Sequence, residues 1–419
     1  MSYNSHSKIR KLIFNIINHL GPISRTALIE ITDYRPATVG DVVKELLDEG
    51  LIIESGSFCP GRGRSRTLFA INKEHICALS ISLAKDVITY TLSQFDGSVL
   101  FQRDMTPTGS RQALVRQIAD ETRRILAKYA DRRMVGIGLY RPFHDPLDYR
   151  ESDALNAKNE YFDLWIHEEL EPLLRAENHL PVKIFSGVTL PAIAEHSFGA
   201  AKDAEDFIWV ELSNGIGASL FCGGVPVGGF GGSAGELGHT VIDGSNGPVC
   251  YCGKPGCVEG TAAWPALQEQ IGSALEKGVF SALQNRDPSK PLTVQEVRDA
   301  LAAGDRVCMH YVRQAAEQIG MAVSNAVNLL NPKLIVLYGF MLELGNYFLD
   351  HLKQAIRENA FSFSGNFEIR TSTSSESIMP LGAAADIFRS FLQAEDYKWV
   401  YDLRLEGVDQ IFDPAREII

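Results

Sequence analysis

Three cysteines within eight positions, Cys250, Cys252 and Cys257, carry the strongest chemical signal in this 419-residue chain. Thiolates are soft donors, and a close set of them beside an imidazole selects zinc. Gly253, Pro255 and Gly256 let the loop between them turn tightly around an ion. His239, eleven residues before Cys250, can complete a Cys3His tetrahedron. Such a set leaves no open coordination position, so its chemistry is structural. The competing reading is three buried, unconnected cysteines, and the spacing argues against it. Cys59, Cys77, Cys222 and Cys308 stand alone and are expected to be packing residues. Seven cysteines with one tight cluster do not make a disulfide framework and fit a reducing cytoplasm.

The elements around this loop alternate between strand and helix. Ile76–Leu83, Val87–Ser93 and Val99–Arg103 read as consecutive strands, with Asp96-Gly97 as a turn. An amphipathic helix from Ala113 to Tyr129 and a strand Val135–Tyr140 follow. Pro181–Phe185 is a further strand and Leu190–His196 a further helix. The pattern then recurs, with strands Phe207–Leu212, Gly217–Phe221 and Val225–Val227. Helices are expected from about 261 and 304, a buried strand at Leu334–Tyr338, and a closing helix near 381–393. Two similar openings point to a duplicated α/β fold with a cleft between its lobes.

Residues 1–75 have a different character. Ile9, Leu12, Ile13, Ile16, Ile17 and Leu20 form one helical stripe, ended by Gly21-Pro22. Ser24 is placed to cap a short second helix. Pro36 opens a third, lined by Val39, Val42, Val43, Leu46 and Leu47 and stopped by Gly50. Leu51–Glu54 and Thr67–Ile71 read as a hairpin. Three helices and a hairpin make a winged helix-turn-helix. The third helix would then enter the DNA major groove with Arg35, Thr38 and Lys44 on its outer face. Asp41 and Glu45 lie there too and oppose phosphate. Arg62, Arg64 and Arg66, spaced by small residues in the wing, suit a minor groove or a phosphate track. A protein-interaction module built on the same helices remains the alternative.

Charge sharpens the division. The whole chain carries a net charge of −12, which is unsuited to DNA. Residues 1–75 hold 10 Lys/Arg against 8 Asp/Glu, a net of +2. The remainder holds 30 against 44, a net of −14. The acidity thus belongs to the body and leaves DNA contact to the small module. The N-terminus has no apolar signal core, and no run of about 18 apolar residues occurs. A cytoplasmic protein with no membrane partner is expected.

The run Gly232-Ser233-Ala234-Gly235-Glu236-Leu237-Gly238-His239-Thr240 and the run Cys250-Tyr251-Cys252-Gly253-Lys254-Pro255-Gly256-Cys257-Val258-Glu259 resemble the ROK family (repressors, open reading frames and sugar kinases). Asn331–Val336 and Gly382-Ala383-Ala384 extend the resemblance over nearly the whole chain. It implies an actin/hexokinase-like (ribonuclease H-like) fold in two lobes. With the module ahead of it, the sequence looks like the family's transcriptional-repressor branch, of the glucose and N-acetylglucosamine type. The expected domains are 1–75 for DNA, 76–200 and 201–394 for the two lobes, and 395–419 as a tail. In the family, the residues matching Glu236, His239 and Glu259 touch sugar hydroxyls.

A kinase of this family needs a phosphate turn of the type Asp-x-Gly-x-Thr, and this chain has Ser80-Ile81-Ser82-Leu83-Ala84-Lys85-Asp86. The second phosphate loop, Ser213-Asn214-Gly215-Ile216-Gly217, is partly kept. The family's base is the Asp of an Asn-Asp pair, and Ser186-Gly187 stand there. Losing a general base costs a factor of about 100 to 10,000. No catalytic activity is therefore expected. The reading is a repressor of carbohydrate metabolism with a structural zinc and a sugar or phosphosugar inducer. It would bind double-stranded operator DNA as a homodimer or homotetramer. The alternatives are an active sugar kinase with a fused DNA-binding domain, or a regulator answering to a protein partner docked on the aromatic tail (Tyr397, Trp399, Tyr401).

Overall fold

The computed structural model describes residues 2–59, 65–84, 86–141, 165–185, 189–230, 233–244, 247–361, 366–372 and 378–392. Arg62, Arg64, Ser186, Gly187 and the tail 395–419 lie outside these residues.

Helix α1 (Ser2–Leu20) buries Ile13, Ile16 and Ile17 on the predicted stripe. It ends before Pro22, which has no amide to continue it. Ser24 accepts the Ala27 amide at 3.2 Å and caps α2 (Arg25–Thr32). Pro36 is the first residue of α3 (Pro36–Asp48), where its fixed φ costs nothing. Strands β2 (Ile52–Phe58) and β3 (Arg66–Ile71) pair antiparallel as expected. A strand that the sequence pattern does not announce, β1 (Ile23–Ser24), pairs with β3, giving the order β1-β3-β2. Two residues are too few to show a period.

Two five-stranded sheets follow with one topology. In the first, β4 (Ile76–Leu83), β5 (Ile88–Gln94) and β6 (Val99–Met105) make an antiparallel meander. Helix α4 (Arg111–Lys128) then crosses to β7 (Arg133–Tyr140), parallel to β4. Helix α5 (Glu171–Asn178) precedes β8 (Val182–Phe185), parallel to β7. The order is β6-β5-β4-β7-β8. After α6 (Leu190–Phe198), β9 (Phe207–Leu212), β10 (Ile216–Cys222) and β11 (Val225–Pro226) repeat the meander. Helices α7 (Val258–Ala262), α8 (Trp264–Glu276), α9 (Val294–Ala302) and α10 (Arg306–Leu330) intervene before β12 (Leu334–Tyr338). Helix α11 (Asn346–Asn359) then leads to β13 (Glu368–Thr371). Strand β12 lies parallel to both β9 and β13, so the second order is β11-β10-β9-β12-β13. Every residue of β4, β9 and β12 is buried, as central strands covered on both faces require. Helix α12 (Ile378–Leu392) closes the described chain.

The described residues form two compact units. The first takes everything up to 141 together with 165–185 and 383–392, and the second takes 189–382. This differs from the expected division at 75, 200 and 394. Ile13, Val43 and Phe69 of the N-terminal elements share one apolar cluster with Ile76, Val135, Ile387 and Phe388. Position 75 therefore marks a change of architecture inside one core. The second unit is already formed at Leu190, and the chain rejoins the first from Ala383. The reason lies in β7, where Gly136 and Gly138 leave space that Ile387 and Ala383 of α12 fill. Helix periodicity reveals an apolar face, but not which sheet that face will meet.

Candidate functional site

The second unit assembles the cysteine loop, and its backbone explains why. Val241 bridges Cys257 and Val249 bridges Pro255, so the loop folds as two short antiparallel contacts. The Gly253 amide donates to the Cys250 carbonyl at 2.8 Å, closing a turn with Gly253 at φ +84°. Gly256 has φ +73°, and a Cβ there would lie 1.9 Å from the Asp243 carbonyl oxygen. Only glycine fits. Cys257 then caps α7, which fixes that sulfur at the start of a buried helix.

His239 arrives from another direction, at the end of the 3-10 turn Leu237–His239. That turn presses on β10 at Gly238, where a Cβ would stand 2.1 Å from the Ile216 carbonyl oxygen. The glycines of the Gly-Glu-x-Gly-His run thus seat the histidine against the sheet.

The four side chains predicted to hold a metal do come together. One donor atom each from His239, Cys250, Cys252 and Cys257 lies within 4.8 Å of all the others. Cys252 Sγ and Cys257 Sγ are 3.6 Å apart, and Cys250 Sγ is 3.7 Å from His239 Nδ1. Zinc–sulfur bonds of about 2.3 Å in a tetrahedron give sulfur–sulfur edges of about 3.8 Å, so the donor set fits that ion. Charge makes the same point. Burial pushes the Cys250 thiol up to about 12. Burial also raises Cys257. At Cys252 burial is outweighed by the Lys254 amide and by hydrogen bonds from the other two thiols, and the value falls. As thiolates, the three would need a cation between them.

The predicted ligand residues lie on the far side of the same imidazole. Nδ1 is turned to the sulfurs, and with a metal on it the ring proton would sit on Nε2. Nε2 is hydrogen-bonded to the Tyr251 hydroxyl at 2.9 Å and stands 3.9 Å from Glu236 Oε2. The Tyr251 hydroxyl also lies beside the Glu259 carboxyl and favours its charged form. Glu259 Oε2 accepts the Ile216 amide at 2.8 Å. Burial pushes the half-buried Glu259 carboxyl above its ordinary value, against the Ile216 amide, His239 and Tyr251. Glu236 is exposed. His239 was predicted to serve both metal and ligand; its Nδ1 faces Cys250 and its Nε2 faces Tyr251 and Glu236. Tyr251 was missed, although a phenol between two clustered cysteines is a legible signal.

The residues predicted to meet DNA belong to the first unit. Arg35 and Lys44 are exposed, Thr38 is half-buried, and Arg66 opens β3 in an exposed position. Asp41 is exposed on the same helix. Glu45, expected to oppose phosphate, instead pairs with His6 of α1 at 3.0 Å, and Glu49 pairs with Arg10. Asp41 and Asp48 of α3 remain exposed.

Taken together, the repeated sheet topology defines a hexokinase-type α/β protein carrying an additional N-terminal helical module. Residues 78–389 match the ROK family, and the chain belongs to it. The chain is similar to a xylose repressor of Caldicellulosiruptor bescii, 28% identical over 380 residues, which are 90% of this chain and 94% of that protein. It is similar to the DNA-binding transcriptional dual regulator NagC of Escherichia coli, 27% identical over 354 residues, covering 83% and 84% of the two chains. Among solved structures, a ROK family transcriptional regulator described as a homolog of the E. coli MLC protein superposes with a TM-score of 0.75 at 24% identity, over 92% of this chain and 97% of its own. A ROK hexokinase from Thermus thermophilus gives a TM-score of 0.60 at 25% identity. It is covered over 99% of its length by 75% of this chain, so the match leaves a quarter of this chain over.

Proposed function

We propose that the chain is a transcriptional repressor of carbohydrate metabolism. Residues 1–75 act as a winged helix-turn-helix on double-stranded operator DNA, and the kinase-like body senses a sugar or phosphosugar. The observation that carries this reading is the N-terminal module itself. Arg35 at the start of α3 and Lys44 on it are exposed, and Glu45 and Glu49 pair with α1, while Asp41 and Asp48 stay exposed. The relatives named as a xylose repressor and as a DNA-binding transcriptional dual regulator support it, since their similarity extends beyond the body. A homodimer would present two α3 helices to half-sites about 34 Å apart on a palindrome.

In this reading the body does not transfer phosphate. The residues where the family's kinases turn around phosphate are spent on folding. Strands β4 and β5 pair up to Leu83 and Ile88, and the connection Ala84-Lys85-Asp86-Val87 contains no glycine. Ser80 and Ser82 are buried, and Ser82 hydrogen-bonds to the Tyr140 hydroxyl. Backbone amides need glycine to approach phosphate closely. At the base position, Gly187 offers no proton acceptor.

His239, Cys250, Cys252 and Cys257 would hold zinc, which supplies a rigid anchor for the loop and no reaction. Glu236, Glu259 and the Nε2 side of His239 would hold sugar hydroxyls by directional hydrogen bonds. An inducer acts only if it prefers one conformer over another.

The test is capture of genomic fragments by the purified chain, followed by anisotropy titration at several salt concentrations. A selected palindromic fragment is expected to bind at least about a thousandfold more tightly than random duplex. Equal affinity for both would reject the repressor. Coupled ATP turnover on a sugar panel would reveal a kinase, and robust turnover would reject the inactive body.

A further inference from the structure

The sugar-binding reading gives Tyr251 a task that goes beyond it. The phenol oxygen stands 2.9 Å from His239 Nε2 and beside the Glu259 carboxyl, whose charged form it favours. These are two of the three groups proposed to grip a ligand hydroxyl. A sugar hydroxyl has the same donor and acceptor capacity as a phenol. The two therefore compete for one place. The ring packs edge-on to the imidazole, with centroids 5.1 Å apart at 72°, and is 46% exposed, so solvent reaches it. Its backbone is pinned between two cysteines of the loop, and the side chain can swing out by rotation about its own bonds.

We infer that Tyr251 is a built-in hydroxyl surrogate, a gate that a sugar hydroxyl must displace in order to bind His239 and Glu259 together. This rests on the sugar reading of the site. Exchange of one hydrogen bond for another is close to neutral, so the displaced phenol lowers the apparent affinity. It also filters ligands. A sugar with one weakly placed hydroxyl gains nothing by opening the gate, whereas one whose other hydroxyls also reach Glu236 does. The simpler role, orienting His239 on a metal, makes a different prediction. Loss of such a partner typically weakens metal binding about 10- to 100-fold.

The experiment is calorimetric titration of the zinc-loaded full chain and its Tyr251→Phe variant. The probes are D-xylose, D-glucose and N-acetyl-D-glucosamine, with zinc content measured on the same samples. The substitution removes only the hydroxyl from an exposed ring. The gate predicts that the variant binds at least one probe roughly 3- to 10-fold more tightly at unchanged zinc content, the range set by one ordinary hydrogen bond. If the wild type binds a probe and the variant binds it equally or more weakly, the gate is wrong and the sugar reading stands. If the variant loses zinc with no gain in affinity, the phenol only positions His239. If neither protein binds any probe, the gate and the sugar reading fail together.

Discussion

The side-chain amide of Asn15 donates to the backbone carbonyl of Leu392 at 2.6 Å, joining the first helix to the last described helix. Asn15 is fully buried. Phe14 stands edge-on to Phe391 at 5.7 Å, and Phe95 meets Phe388 at 5.1 Å. The N-terminal module is thus bonded and packed into the first unit and does not hang from it on a linker. It should unfold together with β4–β8. Asn15→Ala removes a fully buried donor from the half-buried Leu392 carbonyl and should cost about 1–3 kcal/mol. Calorimetry with hydrogen exchange would check this. A separate, earlier transition confined to residues 1–75 would contradict it.

Gly40 sits within α3, and a Cβ there would meet nothing within 4 Å. Packing does not require glycine at that position. Gly40→Ala should therefore stabilise the chain by about 0.5–1 kcal/mol through helix propensity. Denaturant melts measure that directly. If operator affinity falls while stability rises, the bare backbone at Gly40 is where DNA approaches.

Arg66 and Lys44 provide the electrostatic test of the module. Removing one side chain that neutralises a phosphate should flatten the slope of log affinity against log salt by about 1. Lys44→Ala and Arg66→Ala should each do this and weaken binding to all sequences alike. Thr38→Ala should instead relax preference among operator variants if Thr38 reads a base edge. An unchanged slope in the Arg66 variant would remove the wing from the interface.

The architecture was legible in the sequence because its strands are central and its helices amphipathic. The periods of β4, α4, β9 and β12 survive in any tertiary context. The metal cluster was legible because four ligands of restricted type sit at short spacing. Strands β1 and β13 carry no comparable signal, whereas α11 does, with Phe348, Leu352, Ala355 and Ile356 at helical spacing, and it was overlooked. The first is only two residues long, and the burial of β13 is partial and does not alternate cleanly. The return of the chain to the first unit at Ala383 depends on long-range packing against Gly136 and Gly138, which no local pattern encodes. The pairing of Glu45 with His6 was hidden for the same reason: the two residues are 39 positions apart.

Asp305 caps α10 from a buried position. It accepts the Cys308 amide at 2.9 Å and the Ala282 amide at 2.6 Å. Burial opposes its charge, but those two amides and the Ser281 hydroxyl outweigh it and hold the carboxyl below its ordinary value. A depressed folded-state value means the stabilisation is present above the unfolded carboxyl pKa of about 3.9 and is lost as pH falls through the folded value. Asp305→Ala should lower stability by about 1–2 kcal/mol at neutral pH. The gap between the two proteins should close below about pH 4, and a constant gap down to about pH 2 would show that the charge is not what stabilises.

Metal removal tests the cluster at His239 and the cysteines most directly. Elemental analysis should find one zinc per chain, and Cys257→Ser should abolish it, since sulfur at that position is fixed by α7 and cannot be replaced by a neighbour. Among the described residues the loop from Val241 to Pro255 is held by two isolated bridges, Val241 to Cys257 and Val249 to Pro255, and by short-range backbone hydrogen bonds such as Gly256 to Pro248. Without an ion, its close thiols must take up protons or move apart. A strong chelator should therefore lower the melting temperature by at least ~5 °C, which corresponds to a few kcal/mol in a chain of this size. The Tyr251–His239 hydrogen bond should loosen with it, because Nδ1 then loses the ligand that fixes the ring. Zinc should restore both, whereas magnesium should restore neither, since it prefers oxygen donors in octahedral geometry. A chain that purifies without zinc and melts identically with chelator would mean that the three cysteines are packing residues after all.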